Sequence, residues 1–293
     1  MIDLNEQNIT EEVVRRWDNC PDARFREIMV GLLRHLHGFA REVKLTEAEW
    51  MAGIKFLTAV GHKCDGLRQE FILLSDTLGL SQLVVAQNHN RPAGATEQTV
   101  FGPFWVDGAP RLPHGADIAN GAVGAPCHVR LTMNDLQGRP VPDATVDVWH
   151  ADSDGGYDVQ SPGWSMAQAK MRAVFTTDAR GTVHFWTVKP ASYPVPTDGP
   201  VGDMLRASHR HAMRPGHLHV MVQKPGLDTL ITHVFVQGDE YLDSDAVFGV
   251  RASCIGEYVR HEPGKAPDGT VKDTVFFTLD QSVSLAALEN SSR

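Results

Sequence analysis

The chain has 293 residues, 42% hydrophobic and 22% charged, the balance of a folded globular protein with room for a sizeable core. A net charge of −9 argues against nucleic acid as the main partner, although a local arginine can still govern a small-molecule pocket. No apolar run reaches the length that spans a bilayer, so no membrane span is expected.

The opening residues, MIDLNEQNITEEVVRRW, lack the basic start and apolar core of a signal peptide. The four cysteines (Cys20, Cys64, Cys127, Cys254) are far apart and form no CxxC pair. That speaks against a disulfide framework or zinc ribbon and for a reducing, cytoplasmic setting.

Residues 1–95 read as helical. Asp22 is placed to cap a helix carrying Ile28, Met29, Leu32, Leu33, Leu36 and Phe39 at helical spacing. Thr46-Glu47-Ala48-Glu49 has the form of a capping box and starts a second helix with Trp50, Ile54, Leu57 and Val60. Phe71, Leu73, Leu74 and Leu78 predict a third, ended by Gly79. So apolar a helical region must cover something, either a subunit interface or the domain that follows.

Residues 91–126 are rich in Pro, Gly and Ala and predict a long irregular connection, of the kind that often carries function. Beyond it the texture is β. Short alternating runs fall at 127–133, 145–150, 172–177, 182–188, 217–223, 230–237 and 274–279, separated by turn signals. The expectation is a mainly β protein: an antiparallel β-sandwich over 96–293, preceded by the helical region of 1–95.

The chemistry begins at Arg214-Pro215-Gly216-His217-Leu218-His219. In a strand, His217 and His219 share one face, while Leu218, Val220 and Val222 face the other way into apolar packing. Two imidazoles on one face of a strand can ligate a metal. Of four tyrosines, two follow predicted strand ends: Tyr157 in the acidic loop after Trp149-His150, and Tyr193 before Pro194. The acidic loop could instead hold calcium, but Gly163 stands where an EF-hand needs its Glu. Tyr193 could simply pack on its neighbouring prolines. Taken together, two phenolates and two imidazoles suggest one mononuclear site, and hard phenolate donors favour Fe(III) over Fe(II) or Zn(II).

With these motifs the chain resembles the intradiol ring-cleavage dioxygenases, non-haem iron(III) enzymes that include the catechol 1,2-dioxygenases. The resemblance runs over nearly the whole chain, through the helical region, GPFWVDGAP (102–110), VDVWHADSDGGYD (146–158), YPVP (193–196) and RPGHLH (214–219). It implies that Tyr157, Tyr193, His217 and His219 hold one Fe(III) per subunit. It implies that Tyr193 takes a substrate proton and that Arg214, beside the metal, stabilises negative charge. The partners it implies are a small aromatic diol or triol and O2. A homodimer built by the helical linker and dimerisation region, with phospholipid at that interface, is also implied.

One position departs. Many catechol 1,2-dioxygenases carry Gln fourteen residues beyond the second histidine, where this chain has His233. The loop Ala95–Phe104 and Leu73-Leu74-Ser75-Asp76 instead resemble the hydroxyquinol 1,2-dioxygenases. Leu73, Asp76, Val100, Phe101, Gly102, Pro103, Phe104 and Arg214 are therefore the expected substrate contacts. A buried Asp76 left facing catechol would lack a partner, at a cost of about 1–3 kcal/mol, whereas the third hydroxyl of hydroxyquinol supplies one. Three alternatives stand beside this reading: a catechol or chlorocatechol enzyme, a zinc hydrolase using His209, His211, His217 and His219, and a sandwich module that binds a phenol or lipid without turnover.

Overall fold

The computed structural model describes residues 3–66, 68–89 and 91–288 and falls into two compact units, one up to Ala59 and one from Val60 onward. The first unit holds α1 (Ile9–Arg15) and α2 (Ala23–Glu42), and α3 (Glu47–Lys63) runs across the boundary. The two expected starts are built as read. Asp22 accepts the Phe25 amide at 2.9 Å, and Thr46 and Glu49 exchange bonds through amide and side chain at 2.9 and 3.3 Å. α2 buries none of its residues. Its apolar stripe, Phe25, Ile28, Leu32, Leu36 and Phe39, stands about half exposed in the single chain. Among the described residues no helix is long and apolar enough to cross a membrane.

In the second unit Gly79, at φ +78, breaks the chain between α4 (Glu70–Thr77) and α5 (Leu80–Asn88). The strands follow as β1 (Pro126–Asp135), β2 (Thr145–Trp149), β3 (Arg172–Thr176), β4 (Thr182–Val188) and the short β5 (Tyr193–Pro194). After α6 (Pro200–Ala207) come β6 (Met213–Arg214), β7 (His217–Gln223), β8 (Leu230–Val236), β9 (Ile255–Gly256), β10 (Tyr258–His261), β11 (Gly264–Lys265), β12 (Val271–Lys272) and β13 (Phe276–Leu285).

Two sheets make the sandwich, ordered β3-β2-β7-β8-β9 and β10-β13-β1-β4. Most pairings are antiparallel, but β1 lies parallel to β13 and β8 parallel to β9. The core between the sheets takes the inward residues of both: Val146 and Val148, Leu218, Val220 and Val222, and Val234 from one, with Val129, Leu131, Met133, Phe185 and Leu279 from the other. Phe175 and Phe185 stack within it at 5.0 Å between centroids. Alternation along β7 therefore does what the sequence implied. Its even-numbered residues fill the core, and His217, His219 and Met221 face away from it, into a second apolar cluster of Trp149, Tyr157 and Tyr193. β7 is buried on both faces because loops cover its outer side.

Candidate metal centre

Three elements bring the four candidate ligands to one point. Tyr157 arrives on the loop after β2. There Asp152 Oδ1 accepts the amides of Asp154 and Gly156 at 2.9 and 2.8 Å, so this carboxylate braces its own turn. Gly155 sits at φ +86, and a Cβ there would fall 2.2 Å from Tyr193 Cβ; only glycine lets the two tyrosine segments touch. Tyr157 is then fixed from behind. Its amide donates to Gln160 Oε1 at 2.8 Å, and Asp158 forms a buried pair with Arg172, whose Nε lies 2.8 Å from Oδ2. Arg172 Nη1 also donates to the Phe104 carbonyl at 3.2 Å, and the Phe104 ring stacks on Tyr157 at 4.4 Å.

Tyr193 comes from β5, paired directly with Arg214 on β6. His217 and His219 project from β7. His217 donates Nδ1–H to the Pro215 carbonyl at 2.7 Å, which leaves Nε2 as a lone pair. Trp149 stacks flat on His219, 4.7 Å between centroids and 10° between planes.

The four terminal atoms close a ring: His217 Nε2 to His219 Nε2 3.2 Å, His219 Nε2 to Tyr157 OH 3.0 Å, Tyr157 OH to Tyr193 OH 3.1 Å, and Tyr193 OH to His217 Nε2 3.5 Å. Metal–ligand bonds of about 2.0–2.1 Å meeting at 90–120° put neighbouring donors roughly 2.8–3.6 Å apart. The ring has that spacing around its centre, so the donor set fits a single first-row metal ion.

Electrostatics agree. Burial, then Arg214, depress His217 to about 3; burial and His217 hold His219 well below its ordinary value. Both imidazoles are therefore neutral donors at pH 7. Burial, then the neighbouring Tyr193, push Tyr157 well above the usual phenol range, so its phenolate forms there only against a cation.

Arg214 is buried beside the ring, its Nη1 3.3 Å from His217 Nε2. Its Nε and Nη2 reach Asp245 at 3.0 and 3.3 Å, and Asp245 also accepts the Gly249 amide at 2.9 Å. Burial works against the arginine's charge, but Asp245 and Tyr193 outweigh it and its pKa is raised.

A cavity of about 360 Å³ opens beside the ring. Leu73, Asp76, Val100, Gly102, Pro103, Phe104, Tyr193 and Arg214 line it, together with Ile72, Val195 and Val247, which sequence reasoning did not single out. Phe101 does not line it; its ring packs on Trp105 and Trp149, at 5.0 and 5.7 Å. Gly102 passes so near His219 that a Cβ would lie 3.1 Å from Cε1. Asp76 is 7% exposed; burial pushes its carboxyl up, while Ser81 and Arg214 hold it back.

Two sequence expectations change. His209 and His211 are exposed on the link between α6 and β6, away from the ring, which removes the four-histidine zinc site. The histidine that does join the cluster is His233, cross-strand partner of His219. Among the described residues, His217, His219 and His233 are the group whose ligating atoms lie within 4.8 Å of one another. His233 bonds Thr99 Oγ1 through Nδ1.

The fold and the donor ring define a β-sandwich protein with a site able to hold one metal ion, and comparison with known proteins gives its family. Residues 100–279 match the profile described as Dioxygenase and residues 22–96 the one described as Catechol dioxygenase N terminus; the chain belongs to the intradiol dioxygenases, which use iron. A 6-chlorohydroxyquinol 1,2-dioxygenase of Cupriavidus pinatubonensis is 56% identical, over 97% of this chain and 100% of that one. A hydroxyquinol 1,2-dioxygenase of Nocardioides simplex is 51% identical, over 89% and 88%. The crystal structure of hydroxyquinol 1,2-dioxygenase from Pseudomonas putida DLL-E4 superposes with a TM-score of 0.89 at 45% identity, covering 97% of this chain and 99% of that one.

Proposed function

We propose that this chain cleaves hydroxyquinol (benzene-1,2,4-triol) with O2 between its vicinal hydroxyl carbons, giving 3-hydroxy-cis,cis-muconate, the enol form of maleylacetate. The observation that carries the substrate is Asp76, a buried carboxyl in the wall of the cavity beside the donor ring. Asp76 already bonds Ser81, and the third hydroxyl of hydroxyquinol adds a hydrogen bond to the carboxyl that catechol cannot make.

Tyr157, Tyr193, His217 and His219 would hold one Fe(III) per subunit, and ferric iron supplies Lewis acidity toward a bound diol. Tyr193 serves as proton acceptor at its phenolate oxygen when the diol binds, while Tyr157 is kept in place by Arg172 through Asp158. Arg214, oriented by Asp245, faces the developing negative charge on the substrate. Val100, Pro103, Phe104 and Leu73 exclude water and hold the ring.

Oxygen uptake on a panel of hydroxyquinol, 6-chlorohydroxyquinol and catechol tests the reading, with hydroxyquinol or its chlorinated form giving the highest kcat/KM. The chlorinated compound belongs in the panel because of the 56%-identical relative. Preference for catechol would overturn the role of Asp76. The exposed stripe of α2 is the surface that a second copy of the chain, with phospholipid chains between, would cover. A monomeric mass in solution would exclude that.

A further inference from the structure

Two buried nitrogens of the metal centre have no hydrogen-bond partner, and they belong to neighbouring rings. His219 turns Nε2 toward the donor ring, and its Nδ1 is orphaned. His233 uses Nδ1 on Thr99, and its Nε2 is orphaned. The two residues are direct cross-strand partners, with ring centroids 4.2 Å apart and planes at 50°. His217 shows what is missing, since its own Nδ1 is accepted by the Pro215 carbonyl at 2.7 Å.

A neutral imidazole that gives its Nε2 lone pair to a metal keeps its proton on Nδ1. Ligand histidines nearly always donate that proton to an acceptor, which fixes ring orientation and raises basicity. His233 Nε2 can accept it if His233 carries its own proton on Nδ1 and donates it to Thr99 Oγ1. In that tautomer every ring nitrogen of both residues is used. In the other, the His219 Nδ1–H and the His233 Nε2–H are both left without an acceptor in a buried site.

We propose that His233 is a positioning residue for the metal centre, accepting the Nδ1–H of His219 through one trapped water. The constraint continues to Thr99, whose amide donates to the Ile231 carbonyl at 2.9 Å and which begins the loop Val100-Phe101-Gly102-Pro103-Phe104. The orientation of a metal ligand and the root of the substrate wall are thus tied through one imidazole. The proposal rests on His219 being a ligand.

The test is iron affinity, measured by chelator competition on purified protein, alongside the melting temperature of the iron-free form. His233→Leu should bind iron about 10–100-fold more weakly, while His233→Gln, whose amide oxygen restores an acceptor, should stay within about threefold of the wild type. Thr99→Val should weaken binding in the same direction as His233→Leu, with iron-free melting within a few degrees of the wild type. Equal affinity for His233→Leu and wild type, or His233→Gln as weak as His233→Leu, overturns the proposal. If His233→Leu does not fold, wild-type affinity in Thr99→Val overturns it. His219→Ala separates the two readings: full iron retention there refutes the ligand assignment, and the proposal with it.

Discussion

Replacing Arg172 with methionine removes the cation paired with Asp158, a carboxylate whose side chain is only 3% exposed. Breaking a buried pair from one side costs about 3–5 kcal/mol, because the remaining charge stays desolvated. For a unit of this size each kcal/mol lowers the melting temperature by about 2–4 °C, so a loss of roughly 10 °C is expected. Adding Asp158→Asn removes the orphaned charge yet keeps an acceptor for the Lys170 amide, now 3.0 Å from Oδ2. The double variant should recover more than half of the lost stability. It should not recover activity. Both variants lose the bond from Arg172 to the Phe104 carbonyl, and Phe104 packs on Tyr157. Without that tether kcat/KM should stay at least about tenfold below wild type, since small misplacements of positioned groups are costly. Thermal melts and steady-state oxygen uptake on the same preparations decide it. A double variant that melts no higher than Arg172→Met, or wild-type kcat/KM in either, would refute the reasoning.

The purified protein should be red-brown from phenolate-to-Fe(III) charge transfer, and Tyr157→Phe or His217→Ala should lose most of the iron; full metal occupancy in both variants, by elemental analysis, would sink their ligand roles. Asp76→Ala should lower kcat/KM for hydroxyquinol about 5–150-fold more than for catechol, the factor that about 1–3 kcal/mol represents. Equal losses would exclude a specificity role. Asp147 gives a pH dependence. Burial raises its pKa to about 6 against an ordinary 3.8, with Trp105 donating to it at 2.8 Å. A raised carboxyl contributes stability that is fully present below about pH 4 and is lost as pH rises through 6. At pH 7.5 the ionised group therefore costs up to about 3 kcal/mol. Asp147→Asn should melt higher than wild type at pH 7.5, with the gap closing toward pH 4; a gap independent of pH would contradict this.

Local physics made part of this legible in the sequence. Asp22 and the Thr46–Glu49 box announce helix starts because capping is settled within four residues. Alternation in β7 announces the pairing of His217 with His219, because a strand's period fixes which residues share a face. Tyr157 and Tyr193, the candidate ligands, stand out by the scarcity of tyrosine and by their place after predicted strand ends. What could not be read depends on contacts distant in the chain. The parallel pairing of β1 with β13 joins segments about 150 residues apart, as in Arg130 beside Asp280. Asp245 reaches Arg214 across 31 positions, and nothing around Asp243–Phe248 marks it as the partner. α6 was hidden by the glycine and proline around its start, although Pro200 at its first turn is a favoured helix beginning. The sequence places Phe101 with its neighbours in the cavity wall, but its direction depends on the site that Trp105 and Trp149 offer behind it. The hydrogen bond of His233 likewise needed the register of β7 on β8 and the approach of Thr99.

The most direct test of intradiol chemistry at this centre is the product formed from hydroxyquinol by the iron-loaded protein under 18O2. Cleavage between the two hydroxyl-bearing carbons predicts one O2 consumed per triol and a dicarboxylate carrying label in its new carboxyl groups. An aldehyde product, which signals cleavage outside the diol, or no oxygen uptake by protein with full iron occupancy, would contradict the account.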